Sequence, residues 1–161
     1  IFTKVLKGHI AVAISKINKN TTGHDLDKKA RKSLNSVGLD YRHGTGHGVG
    51  FFLNVHEGPQ SISKNNKIKL HEGMVLSNEP GFYLENKFGI RIENLVYIKK
   101  IRNNLKFKNL TVAPIDKDMV NFNLLTKIER DYLIKYHLEV YSKISPFLNK
   151  KEKKWLAKSI Y

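Results

Sequence analysis

The chain has 161 residues, 40% of them hydrophobic and none of them cysteine; this allows one domain with a sizeable core and excludes a disulfide framework or a thiolate-bound structural zinc. Basic residues outnumber acidic ones 29 to 14, a formal net charge of +15 that raises nucleic acid or an anionic membrane as a partner. The distribution argues against both: the lysines are scattered over helix faces and loops, the one dense run at 150–154 is short, no apolar run approaches the ~20 residues of a membrane span, and no signal-peptide pattern opens the chain.

From Phe2 to Ile17, the apolar residues Phe2, Val5, Leu6, Ile10, Ala13, Ile14 and Ile17 recur at spacings of three and four, which predicts one amphipathic helix. His9 lies on the apolar face and reads as a core residue rather than a ligand. A polar turn over 18–23 leads to a second helix from about His24 to Val37, with Gly38 placed to end it. Asp25 and Asp27 fall in its first turn, where the helix dipole favours acids, and this makes them poor metal ligands.

Residues 43–58 carry His43, His47 and His56, with glycines at 44, 46, 48 and 50 that let other groups approach the backbone closely. The glycine spacing meets neither nucleotide-binding fingerprint. Phe51 to Val55 reads as a short strand delivering His56, and Gly58-Pro59 as the turn after it. Loop follows to Lys69, and His71 sits in an exposed turn. Met74 to Asn78 and Phe88 to Ile98 read as strands. Alternation in the second puts Arg91 and Glu93 on one side, as an ion pair or as a metal ligand and its support. After a basic loop at 101–109, a further strand is expected over Leu110–Ile115. Thr126 and Glu129 form a capping-box pattern opening a helix to about Ile144, which Pro146 stops. The stretch from Lys150 to Tyr161 reads as a short final helix, with Trp155, Leu156 and Ile160 anchoring it on the body or on a second subunit.

Glu79 ends the first of these strands and Glu93 lies within the second, and a carboxylate in a buried strand must be paired or metal-bound. His47, Glu79 and Glu93 are therefore expected to ligate a divalent metal. One imidazole with two carboxylates suits a hard ion such as Mn²⁺. One ion would be nearly neutralised by the two acids, whereas two ions, carrying about four positive charges, would need further acids.

The stretch from His43-Gly-Thr-Gly-His47 to Glu57-Gly-Pro59, with Asn78-Glu79-Pro80-Gly81 and Glu93, resembles the pita-bread metallopeptidases, most closely the cytosolic aminopeptidase P type of eukaryotes. The resemblance implies an α+β fold: residues 1–115 as the C-terminal part of the pita-bread catalytic domain and 116–161 as a helical extension. It implies hydrolysis of the bond between an N-terminal residue and proline, by two divalent ions held by two aspartates, a histidine and two glutamates. His47, Glu79 and Glu93 match the last three ligands, Glu93 bridging and Glu79 also relaying a proton. His43 and His56 match histidines that hold substrate and stabilise the charged intermediate, and Arg91 would orient a ligand carboxylate.

No counterpart of the two aspartates is present, so the chain, which opens at Ile1, is expected to be a C-terminal fragment, inactive alone and completed by an upstream segment. A cytosolic homodimer acting on peptides with proline second, without nucleic acid or membrane, is implied as well. Within the fold, prolidases and methionine aminopeptidases share part of the pattern. From another class, metal-free pita-bread domains bind peptides or histones, a reading that the retained His47, Glu79 and Glu93 argue against.

Overall fold

The computed structural model describes residues 1–52 and 54–160. Helix α1 (Phe2–Ala13) packs on α2 (Gly23–Asn35) through Gly8, where a Cβ would come within 2.3 Å of the Ala30 carbonyl oxygen. Only a residue without a side chain allows that approach. The first helix is shorter than its apolar period predicts: Ile14 caps it and is 42% exposed. Ile17 is buried for another reason, an isolated antiparallel bridge to Leu105. The second helix opens on a reciprocal capping box between Thr22 and Asp25 and stops short of Val37, with Gly38 in the left-handed region at φ +72°.

Three small antiparallel sheets follow. Strand β1 (Gly46–His47) pairs with β2 (Ser61–Ile62); β3 (Val75–Asn78) is the edge of a sheet ordered β3-β6-β7, where β6 is Asn94–Ile101 and β7 is Asn104–Asn109; β4 (Gly81–Leu84) and β5 (Phe88–Arg91) form a separate hairpin. The expected single strand from Phe88 to Ile98 is thus two strands in different sheets. Register explains the break: Arg91 faces Gly81 in the hairpin while Asn94 faces Asn78 in the larger sheet, so Ile92 and Glu93 span the gap. Side-chain alternation survives it, for Ile92, Val96 and Ile98 are all buried.

No strand forms over Leu110–Ile115. The third strand of the sheet lies earlier, where a basic loop was expected: β7 turns its lysines, Lys106 and Lys108, to solvent and Phe107 inward opposite Ile98. The hairpin is closed at Arg102, at φ +53°. Residues 110–115 instead run along α3 (Lys127–Ile144), tied by Tyr136 Oη to the Ala113 carbonyl at 2.6 Å and by the Ile115 N–H to His137 Nε2 at 3.2 Å. Of the stretch expected as a strand at Phe51–Val55, Leu53 lies outside the described residues, and the rest is irregular, with Phe51 91% and Phe52 82% exposed.

The Thr126–Glu129 capping box opens α3 as expected, Pro146 sits in a single 3₁₀ turn, and α4 (Lys150–Ile160) follows. Leu156 and Ile160 anchor α4 on the body, whereas Trp155 is 65% exposed and makes no such anchor within the chain. One apolar core joins Val5, Leu6 and Ile10 of α1 to Leu133 and Val140 of α3 and to Leu156; a second joins Val12, Leu26 and Ala30 to Leu76, Val96 and Ile98 of the sheet. Between the cores His9 is wholly buried, as the sequence suggested, with Nδ1 3.2 Å from the Asn78 carbonyl oxygen. Burial lowers its pKa to about 4, against the opposing pull of the Ile92 and Asn78 carbonyls. No helix of the described residues is long and apolar enough to cross a membrane.

Candidate metal centre

Ser77 and Asn78 at the end of strand β3 and Glu79 just after it are all buried, and the glycine-rich segment lies against them. A Cβ at Gly46 would stand 2.0 Å from the Ser77 carbonyl oxygen, so the closeness of the two segments requires glycine there. The Glu79 N–H donates to the Thr45 carbonyl at 2.8 Å and the His47 N–H to Ser77 Oγ at 2.9 Å. Ser77 Oγ in turn donates to Glu79 Oε1 at 2.8 Å. These bonds hold His47 Nε2 3.3 Å from Glu79 Oε1, while Arg91 Nη1 lies 3.3 Å from Glu79 Oε2.

Glu93 completes the group: one ligand atom each from His47, Glu79 and Glu93 lie within 4.8 Å of one another. Residues separated by 32 and 14 positions thus converge through the pairing of β3 with β1-adjacent backbone on one side and β6 on the other. An imidazole and two carboxylates at this spacing are donors of the kind that hold a hard or borderline divalent cation. The burial argument made from sequence holds for Glu79, 8% exposed, and fails for Glu93, which is exposed in the gap between β5 and β6. Of the two readings of Arg91, no ion pair with Glu93 forms among the described residues; Arg91 spans instead to the Glu79 carboxylate and donates from Nε to Tyr83 Oη at 2.8 Å.

His56 is exposed, and its ring centroid lies 4.0 Å from that of His47. His43 is linked to this group through Tyr83, which accepts from Arg91. Its ring meets the Tyr83 ring at 5.4 Å, edge-on, and the Tyr41 ring at 4.8 Å. Its Nδ1 is 2.8 Å from the Gly44 carbonyl oxygen, and its buried Nε2 has no partner among the described residues. His71 is exposed and far from this group in the fold's turn before β3.

Sequence reasoning missed the residues that support these. Arg31 donates from Nη1 to the Tyr41 carbonyl at 2.7 Å and from Nη2 to the His43 carbonyl at 2.6 Å, and it pairs with both Asp27 and Asp40 at 2.8 Å. Burial alone would lower its pKa, but the two carboxylates raise it, so the guanidinium stays charged. Asp27 Oδ1 accepts from Thr45 Oγ1 at 2.7 Å, so Asp27 braces the histidine loop rather than the first turn of its helix. The i,i+4 spacing of Asp27 and Arg31 was the available signal, and it reads equally well as an ordinary helix-surface pair. Ser77 and Tyr83 carried no signal.

Residues 1–100 match the metallopeptidase family M24, and residues 103–160 match the C-terminal region of peptidase M24. The chain belongs to the M24 metallopeptidases, and its α+β arrangement is the C-terminal part of their pita-bread fold. Within the family it is similar to proline-directed aminopeptidases: 47% identical over 168 residues to a probable Xaa-Pro aminopeptidase P of Coprinopsis cinerea, covering 96% of this chain and 27% of that protein, and 50% identical over 157 residues to aminopeptidase P2 of Arabidopsis thaliana, covering 91% and 22%. It superimposes on the crystal structure of X-prolyl aminopeptidase from Caenorhabditis elegans, described as a cytosolic enzyme with a di-nuclear active site, with a TM-score of 0.91 and 43% identity over 99% of this chain and 28% of that one. Prolidase from Pyrococcus furiosus matches less of it, 68% of this chain and 31% of the other at a TM-score of 0.59 and 35% identity. The chain spans about a quarter of the length of the curated relatives it matches.

Proposed function

We propose that this chain supplies His47, Glu79 and Glu93 to the dimetal centre of an Xaa-Pro aminopeptidase, which removes an N-terminal residue that precedes proline. The observation that carries the reading is the convergence of those three ligand atoms within 4.8 Å. Identities of 47% and 50% to the curated aminopeptidases, against 35% to the prolidase, support an aminopeptidase over a prolidase. The three retained donors weigh against a metal-free peptide- or histone-binding module.

His47, Glu79 and Glu93 would hold the ions together with two aspartates from an upstream segment of the same protein; the two glutamates alone leave two divalent ions under-neutralised. The carboxylate-rich donor set favours Mn²⁺. When bound, the ions act as Lewis acids and bring the pKa of a shared water towards neutrality. The chain's own residues do the rest. Glu79, oriented by Ser77 at one oxygen and Arg91 at the other, takes a proton and passes it to the leaving proline nitrogen. His43, whose Nε2 has no partner among the described residues, and His56 beside His47 are donors for the substrate carbonyl and the charge that develops on it. The bond before proline has no N–H, so selectivity rests on the shape of the pocket for the ring.

In this reading residues 1–115 belong to the catalytic domain and 116–161 to its helical extension. The exposed Ile134, Leu138 and Phe147, with Trp155, support a homodimer through the C-terminal half. The worm relative's cytosolic description supports a cytoplasmic location. The test is hydrolysis of Ala-Pro-Ala by the full-length protein: activity lost to a chelator and restored by Mn²⁺ is expected, and turnover that survives chelation sinks the proposal.

A further inference from the structure

Two adjoining cavities, about 640 and 500 Å³, lie beyond His43, and both are lined by Asp40, Tyr41, Arg42 and His43. None of His47, Glu79 and Glu93 lines either. Glu93 and His47 line a separate recess of about 230 Å³ with Val49, Val55 and Leu95. His43 lines both charged cavities and does not line the apolar recess.

Charge in the larger cavity is unbalanced. Arg31 lines it but is spent on Asp27 and Asp40. Arg42 and Lys64 also line it, are exposed, and have no ion pair among the described residues. The Lys64 backbone is fixed, its carbonyl oxygen 2.5 Å from His24 Nδ1. Its ammonium lies near enough to Asp40 to help hold that carboxyl below the usual range: burial pushes the other way, and the Arg31 bond, the Tyr41 N–H and the two cations together outweigh it. Asp40 accepts from both Arg31 and the Tyr41 N–H at one oxygen, Oδ1, and is the one acid among the described residues lining the larger cavity, against Arg31, Arg42 and Lys64; Glu85 lines the adjoining cavity, which Arg42 shares.

Resting on the peptidase reading, we infer that Arg42 and Lys64 are specificity residues that bind a carboxylate on the part of the substrate downstream of proline. An aminopeptidase substrate presents an ammonium at the end that is cut and can present carboxylates only further along. A cavity whose cations outnumber its one carboxylate repels the first and attracts the second. Arginine adds a planar fork matched to a carboxylate. The carboxylate has two sources, the C-terminus of a short peptide or an acidic side chain after the proline.

The full-length protein would be assayed on two matched pairs: Ala-Pro-Ala against its C-terminal amide, and Ala-Pro-Glu-amide against Ala-Pro-Gln-amide. Wild type is expected to favour the carboxylate in at least one pair by about tenfold in kcat/KM, carried mainly by KM, the worth of one charge-assisted hydrogen bond. The first pair reports a terminal carboxylate and the second an acidic side chain. Arg42→Gln and Lys64→Gln are expected to collapse that preference, and Arg42→Lys to restore part of it. Preferences that are the same in wild type and variants overturn the inference alone. A wild type that cleaves none of the four peptides overturns the peptidase reading and the inference with it.

Discussion

Ser77 Oγ donates to Glu79 Oε1 at 2.8 Å, and both residues are buried. The same oxygen accepts the His47 N–H, so one hydroxyl sets the relative position of two proposed ligands from different strands. Ser77→Ala in the full-length protein is expected to weaken metal binding by about tenfold to a hundredfold, the usual cost of losing a group that orients a ligand. A calorimetric titration with Mn²⁺ measures it; an unchanged affinity would mean that Glu79 is held by Arg91 alone.

His47→Ala, Glu79→Ala and Glu93→Ala should each abolish metal-dependent hydrolysis in the full-length protein, and His71→Ala, exposed in a turn, should leave it nearly unchanged. The 161-residue chain alone should not turn over proline peptides. Glu93 is the most exposed of the three ligands, so its substitution tests the assignment with the least disturbance of packing. An intact rate there counts heavily against the ligand set.

Stability should fall on mild acidification. His9 titrates at about 4 when folded and near 6.5 when free, so between those values the unfolded chain binds a proton that the folded chain does not. Its contribution is complete above pH 6.5 and is lost as pH falls towards 4, a change on the order of 3 kcal/mol. His137, also lowered by burial, acts in the same direction. Urea midpoints followed from pH 7.5 to 4.5 should drop along this window, and His9→Gln should flatten the slope at the expense of stability at neutral pH.

Thr126→Ala removes one half of the capping box of α3, which Lys7 reinforces by pairing with Glu129 at 2.5 Å. The expected loss is about 1 kcal/mol. Equilibrium unfolding would detect it, and a neutral result would assign the stability of α3 to its packing against Leu6 and Ile10 instead.

The parts of this fold that follow from a single period were legible. The Thr126–Glu129 capping box rests on local spacing, and α3 and α4 lie where it puts them, whereas the box at Thr22 and Asp25 begins in what reads as a polar turn. Where two causes give one pattern, the sequence misled. Ile17 continues a helical period yet is buried by a strand residue, Leu105. The alternation from Phe88 to Ile98 runs unbroken through a change of sheet, because a strand that switches partners keeps its pleat. In β7 the lysines at 106 and 108 mask the strand because it lies at the edge of its sheet, with one face open. At the site, the residue types of His47, Glu79 and Glu93 pointed to their convergence, but Arg31 and Ser77 act through backbone carbonyls and a single hydroxyl, which leave no mark on composition or spacing.

The peptide linking Arg91 to Asn94 belongs to neither sheet, and its position answers to two independent ladders. A slip of one residue in the β3–β6 ladder would swing Glu93 to the opposite side and at the same time turn Val96 and Ile98 out of the core. The apolar residues that fasten β6 to the interior thus also fix the side on which Glu93 stands. Loss of that packing and loss of the acid from the group would be one event, not two.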